Sequence, residues 1–159
     1  MSTMASLVKQ QERALAALKR IDWIPATVAR ATVGVVFLTT GWGKVHNLGK
    51  VAGFFAELGI PAPGLNAVVV SYSELVCGAL LLAGLASRLA TLPLLVSMAV
   101  ALITAKAGDI HGLADLFGTV EFTYLALLLV VAVNGPGPLS ADRMIARRTA
   151  PRGPAEAAA

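Results

Sequence analysis

The chain has 159 residues, 57% hydrophobic and only 14% charged, with a mean hydropathy of +0.75 and a formal charge of +4. Soluble domains carry about 25% charged residues, so the composition excludes an ordinary water-soluble domain and indicates an integral membrane protein with room for about four spans of ~20 residues. The basic excess fits the cytoplasmic bias of Lys and Arg in membrane proteins and calls for no nucleic acid, and the single cysteine, Cys77, excludes an intrachain disulfide and dithiol chemistry by this chain alone.

Residues 6–20 set Leu7, Ala14, Leu15 and Leu18 against Lys9, Arg13, Lys19 and Arg20, a pattern that predicts a basic amphipathic helix on the cytoplasmic leaflet or else a solvated tail. The apolar run that follows is too long for a signal-peptide core and reads as a retained signal anchor. Residues 1–23 therefore form a cytoplasmic segment ahead of a membrane domain over 24–138. The first span covers 24–43, with Trp23 as interfacial anchor and Pro25 in the first turn, where its missing N–H costs nothing. The connection after it contains VAGFFAELG, read as a short outer interfacial helix with Phe54 and Phe55 in the membrane and Lys50 and Glu57 in water.

The breaker Ile60-Pro61-Ala62-Pro63-Gly64 precedes the second span, 65–85. A few residues around Ser87-Arg88 make it the antiparallel neighbour of the third, 89–105, which has Pro93 in its first turns. The next connection, Lys106 to Leu116, carries Asp109, His111 and Asp115. The fourth span, 118–134, stops at Asn134-Gly135-Pro136-Gly137-Pro138. Residues 139–159 read as a basic cytoplasmic tail, disordered by composition over 150–159. Both termini inside places nine basic residues on the cytoplasmic side, against Lys44, Lys50 and Lys106 outside. The expected fold is thus an all-α, four-helix integral membrane bundle, N-in and C-in.

Three ionisable residues fall within these spans: Arg30, Glu74 and Glu121. A charge at the bilayer centre costs roughly 2.5–3.5 kcal/mol on insertion scales, so such residues call for partners. At 1.5 Å per residue, Arg30 stands roughly 9 Å above the cytoplasmic end, Glu74 roughly 16 Å and Glu121 roughly 18 Å. Arg30, Gly34 and Gly41 share one face of span one, with Lys44 a turn further out. Ser71, Glu74, Gly78 and Leu85 share one of span two, and small residues on both faces permit close helix approach, within the chain or between copies. An upward-pointing Arg30 could then meet both glutamates, with Tyr72 and Tyr124 as hydroxyl partners and Lys44 at the outer mouth. One Arg facing two Glu leaves a surplus carboxylate suited to proton exchange or to a hydrogen bond with a quinone or similar head group. The competing structural readings are an Arg–Glu pair that pins the bundle, an Arg30 that snorkels to the cytoplasmic face, and a Glu121 solvated at the outer interface.

His46 and His111 on the outer side are weak candidate metal ligands, since their spacings to Glu57, Asp109 and Asp115 match no metal motif. Cys77 reads as a buried structural thiol. No Walker loop, nucleophile elbow, zincin helix or haem-ligating pair is present.

Arg30-Ala31-Thr32-Val33-Gly34, GWGKVHNLG, FFAELGIPAPGLNA, SELVCGALLLAGLASRLA, Glu121 and the closing NGPGPLSADRM together resemble the DoxX family over most of residues 29–144. The resemblance implies a four-helix bundle in a bacterial inner membrane, with the intramembrane Arg and Glu positions as its polar core. It also implies a quinone-interacting or membrane-anchoring subunit of a redox system, working with a soluble redox enzyme, and members are commonly labelled oxidoreductases. Two further readings remain open: a non-catalytic assembly or scaffold protein whose charged cluster is structural, and a proton or small-solute path.

Overall fold

The computed structural model describes residues 10–12, 15, 21 and 23–149, the side chains of 146–149 excepted. The tail at 150–159, and all but four residues of the amphipathic segment expected over 6–20, lie outside the described residues.

Among the described residues from Trp23 on, seven helices follow one another: α1 Trp23–Val45, α2 Leu48–Glu57, α3 Pro63–Ala83, α4 Ser87–Thr104, α5 Leu113–Gly118, α6 Val120–Asn134 and α7 Ala141–Thr149, with a 3-10 turn at Ala107–Asp109. No strand occurs among the described residues. α1, α3 and α4 are long and apolar enough to cross a membrane, and α6 is a shorter apolar helix of 15 residues. α1 packs on α3, α3 on α4, α4 on α6, and α6 returns to α1, which closes a four-helix ring; α2 lies against α3. The centre is filled by Val33, Phe37, Leu81, Leu94, Leu128 and Val131, none more than 2% exposed. The outward faces carry Val28, Val35, Val76, Leu89, Leu92 and Ile103, all exposed, as lipid-facing surfaces require.

Local chemistry explains the boundaries. Pro63 opens α3 at a position where a helix needs no N–H donor. Gly84, at φ +69°, closes it with its own N–H on the Leu81 carbonyl and that of Leu85 on Leu80, the paired bonds of a left-handed helix cap. Ala86, at φ +47°, then turns the chain directly into α4. The last span departs from expectation, because it begins at Val120 and follows a separate short helix where a loop was expected. Thr119 is extended, and its hydroxyl accepts the Phe122 N–H at 3.3 Å, so it starts a new helix.

The α1–α3 contact is made of glycine against backbone. A Cβ on Gly41 would lie 2.7 Å from Leu75 Cα, one on Gly78 would lie 2.9 Å from Leu38 Cα, and one on Gly34 would lie 2.9 Å from Leu82 Cγ. As α1 rises, α3 descends in step. This register sets Glu74 level with Trp42 and places Arg30 beside the end of α3, at the proximal end of the bundle where α1 begins. Lys44 and α2 belong to the distal end.

Gly41→Ala and Gly78→Ala should each lower stability by about 1–3 kcal/mol through forced separation of the two backbones. Gly43→Ala, whose methyl meets nothing within 4 Å, should not. Denaturation curves in mixed detergent micelles check this, and curves that coincide for all three would refute the close approach.

Candidate functional site

Glu74 lies at the middle of α3 with its side chain 1% exposed. Lys44 Nζ donates to its Oε1 at 2.6 Å, and Ser97 Oγ donates to the same oxygen at 3.3 Å. Thr40 Oγ1 donates to Oε2 at 3.2 Å. Thr40 and Lys44 stand one turn apart on α1, and Ser97 reaches in from α4, so three helices converge on one carboxylate. A buried carboxylate is costly unless it is both paired and hydrogen-bonded. Here it has a cation and two hydroxyl donors. Lys44 keeps its side chain 33% exposed, and of its three N–H donors only one is spent, on Glu74; no other partner exists for it among the described residues.

Lys44, Glu74 and Ser97 form one end of a cavity of about 840 Å³ between α2, α3 and α4. Its walls are apolar, with Phe55, Val70 and Ala101 among them, while Lys50, Asn66 and Thr104 line its distal part. The volume falls within the ~300–1,000 Å³ of small-molecule sites, and a mostly apolar lining with a few convergent polar groups is their usual character.

Arg30 is elsewhere. It is 5% exposed, and its guanidinium donates only to backbone: Nη1 to the Leu81 and Leu82 carbonyls at 2.8 and 3.1 Å, and Nη2 to the Leu139 carbonyl at 2.7 Å. The last carbonyls of a helix lack intrahelical partners and carry the negative end of its dipole, so a buried cation is well placed there. Gly84 makes room for it, since a Cβ there would lie 2.5 Å from Nη1. The same proximal corner is tied by Ala86 N–H to Asp142 Oδ1 at 2.9 Å, Asp142 N–H to the Gly84 carbonyl at 3.1 Å, and Arg88 Nη2 to the Val133 carbonyl at 3.2 Å.

The expected meeting of Arg30 with the two glutamates therefore does not occur. Twelve residues of α1, about 18 Å of helix, separate Arg30 from the level of Glu74, and buried Val33, Phe37 and Leu81 lie between. Nor does Arg30 snorkel, since its head is buried among carbonyls. Glu121 is half-buried in the first turn of α6, where the helix dipole favours an acid, and has no hydrogen-bonding or ionic partner among the described residues. Tyr124 packs edge-on against Phe37 at 5.9 Å, while Tyr72 is 47% exposed. His46 stacks on Trp42 at 4.5 Å with Nδ1 2.8 Å from its carbonyl, and the His111 backbone N–H is held by Asp115. Among the described residues no three His, Cys, Asp or Glu side chains group as a metal-ligand set. Cys77 is buried in the core.

Thr40 and Ser97 were not legible as site residues, because a lone hydroxyl in an apolar helix usually satisfies itself on the backbone a turn earlier. Thr40 lies four residues before Lys44, and that spacing was the available signal.

The family model for DoxX matches residues 26–107. Among curated relatives, an uncharacterized membrane protein of Mycobacterium tuberculosis is 33% identical over 130 residues, 75% of this chain and 80% of that protein. The Bacillus subtilis protein named "Putative oxidoreductase CatD" is 29% identical over 77% of this chain and 87% of its own. The inner membrane protein YqjF of Escherichia coli is 25% identical over 82% of this chain and 99% of its own. No solved structure matches the chain.

Arg30→Met should cost about 2–4 kcal/mol, since it strips hydrogen bonds to a charged donor from one buried and two part-buried carbonyls. Arg30→Lys should recover less than half of that, because an ammonium cannot span the Leu81 and Leu139 carbonyls as the planar fork does. Thermal unfolding in detergent checks both; full recovery by lysine would show that charge alone matters.

Proposed function

Because the chain belongs to the DoxX family, we propose that it is a quinone-interacting, membrane-embedded subunit of a redox system, with Lys44, Glu74 and Ser97 as the head-group end of its site. The proposal places it in a bacterial inner membrane, as the name of the Escherichia coli relative suggests, with the proximal end cytoplasmic, as the basic residues favour. The observation that carries it is the Lys44–Glu74 pair at one end of a cavity that is otherwise apolar.

The residues present fit a quinone head. Lys44 has donors unspent by Glu74, so a carbonyl oxygen of a planar head would find a partner there, with Ser97 packed beside it. A bound quinone supplies two-electron, two-proton redox chemistry. The chain's own part is to position the head and manage charge: Glu74 fixes the ammonium of Lys44 from below, Thr40 holds the second carboxylate oxygen, and the exposed flank of Lys44 connects the pair to the distal side. An electron donor would be a separate protein, since the chain contains no recognisable cofactor motif.

A second reading, an assembly or anchoring protein, draws on Arg30, whose bonds all serve to hold the backbone together. A proton or solute path through a single copy is disfavoured by the buried layer of Val33, Phe37 and Leu81 between the two polar ends.

Glu74→Gln and the double variant Lys44→Met/Glu74→Gln, which leaves no unpaired carboxylate, should each weaken quinone binding in lipid nanodiscs tenfold or more, about 1.4 kcal/mol, while the protein stays folded. Binding unchanged in both variants, with a partner protein still copurifying, would favour the anchoring reading instead.

A further inference from the structure

The cavity has a side opening. Four of its lining residues are themselves strongly exposed on the outer surface of the bundle: Val96 at 65% and Val100 at 42% on α4, Val69 at 55% on α3, and Phe54 at 49% on α2. α4 presents Leu92, Val96, Val100 and Ile103 as its lipid-facing stripe, so Val96 and Val100 face the cavity and the lipid at once. α2 packs on α3, which leaves the α2–α4 side as the mouth. The polar end lies deep, because Glu74 is eleven residues from the start of α3 and nine from its end, about 16 and 14 Å along the helix. The lining beyond it is mostly apolar, with Phe55, Leu58 and Ile60 in it, so the cavity offers a place for an apolar chain as well as for a head. Lys44 and Glu74 already neutralise each other, so the deep end asks for hydrogen bonds and adds no unbalanced charge.

Resting on the reading of Lys44, Glu74 and Ser97 as a head-group end, we infer that the cavity is filled sideways from the membrane by a chain-bearing amphiphile with an uncharged, hydrogen-bonding head. The head lies against Lys44 and Ser97, and the chain leaves between Val96 and Val100 of α4 and Phe54 of α2. The side opening sets specificity for the chain, and the Lys44–Glu74 pair sets it for the head.

The test uses the full chain in nanodiscs with two probes, a decyl-substituted benzoquinone and the same head without its chain. Val96→Trp and Val100→Trp narrow the mouth at lipid-facing positions, where no core must repack. Leu92→Trp lies on the same stripe away from the cavity and is the control. The mouth variants should bind the decyl probe at least tenfold more weakly than wild type, Leu92→Trp should stay within twofold, and the chainless head should bind wild type at least tenfold more weakly. Mouth variants that bind like wild type, or a chainless head that binds as well as the decyl probe, overturn the sideways route. A phospholipid held stoichiometrically by wild type and lost from Val96→Trp, found by native mass spectrometry, overturns the uncharged head. If wild type binds neither probe, the head-group reading itself has failed; if it binds in a Glu74-dependent manner and ignores the mouth variants, only the entry route has.

Discussion

Backbone-to-backbone contact between α1 and α3 is the constraint from which the remaining arrangement follows. Gly41 against Leu75 and Gly78 against Leu38 leave no space for a side chain, and in a membrane, where lipid tails are as apolar as leucine, close packing is the main force that joins helices. Once these positions are locked, the vertical alignment of every polar group on the two helices is decided. Thr40 and Lys44 are brought to Glu74, and Arg30 is delivered to the last carbonyls of α3. Sliding the helices by one turn would break both sets of bonds together.

The two charged centres handle the same cost in different ways. At the proximal end a cation meets only backbone dipoles and ties three pieces of chain, α1, the end of α3 and the segment before α7. At the mid-level an anion meets side chains, and one of them, Lys44, remains open to its surroundings with donors in reserve. The first arrangement is closed, with both terminal guanidinium nitrogens held by carbonyls and only Nε left without a partner among the described residues. The second is adjustable, because side-chain donors can turn toward another acceptor while a helix terminus cannot. That contrast separates the strut from the candidate site more sharply than burial does, since both residues are buried.

Much of this was legible in the sequence, for identifiable reasons. The spans and α2 follow from the length and periodicity of apolar runs, and the facing glycines from four-residue spacing. The relative heights of Arg30 and Glu74 were not: counting each span from its own end put them about 7 Å apart, whereas the glycine-set register of α1 on α3 puts them about 18 Å apart. The partner of Arg30 was not, because a carbonyl oxygen belongs to every residue and leaves no mark in a sequence. The pairing of Lys44 with Glu74 was hidden by treating Lys44 as an outer-mouth residue, when its long stem carries the ammonium inward. Glu121 was read as opening a span that starts at 118 and as a partner of Arg30, with a solvated Glu121 as the alternative. The break at Thr119 makes it a first-turn acid of a new helix, where the dipole and not a counter-ion receives it.

The bond from Arg30 to the Leu139 carbonyl joins positions 109 residues apart, and it orders events in time. During synthesis α1 enters the membrane long before residue 139 leaves the ribosome. Through that interval the guanidinium can find the α3 carbonyls but not its third partner. The bundle can be threaded first and fastened afterwards, with the segment after α6 acting as a latch that closes only once the four packed helices have been made.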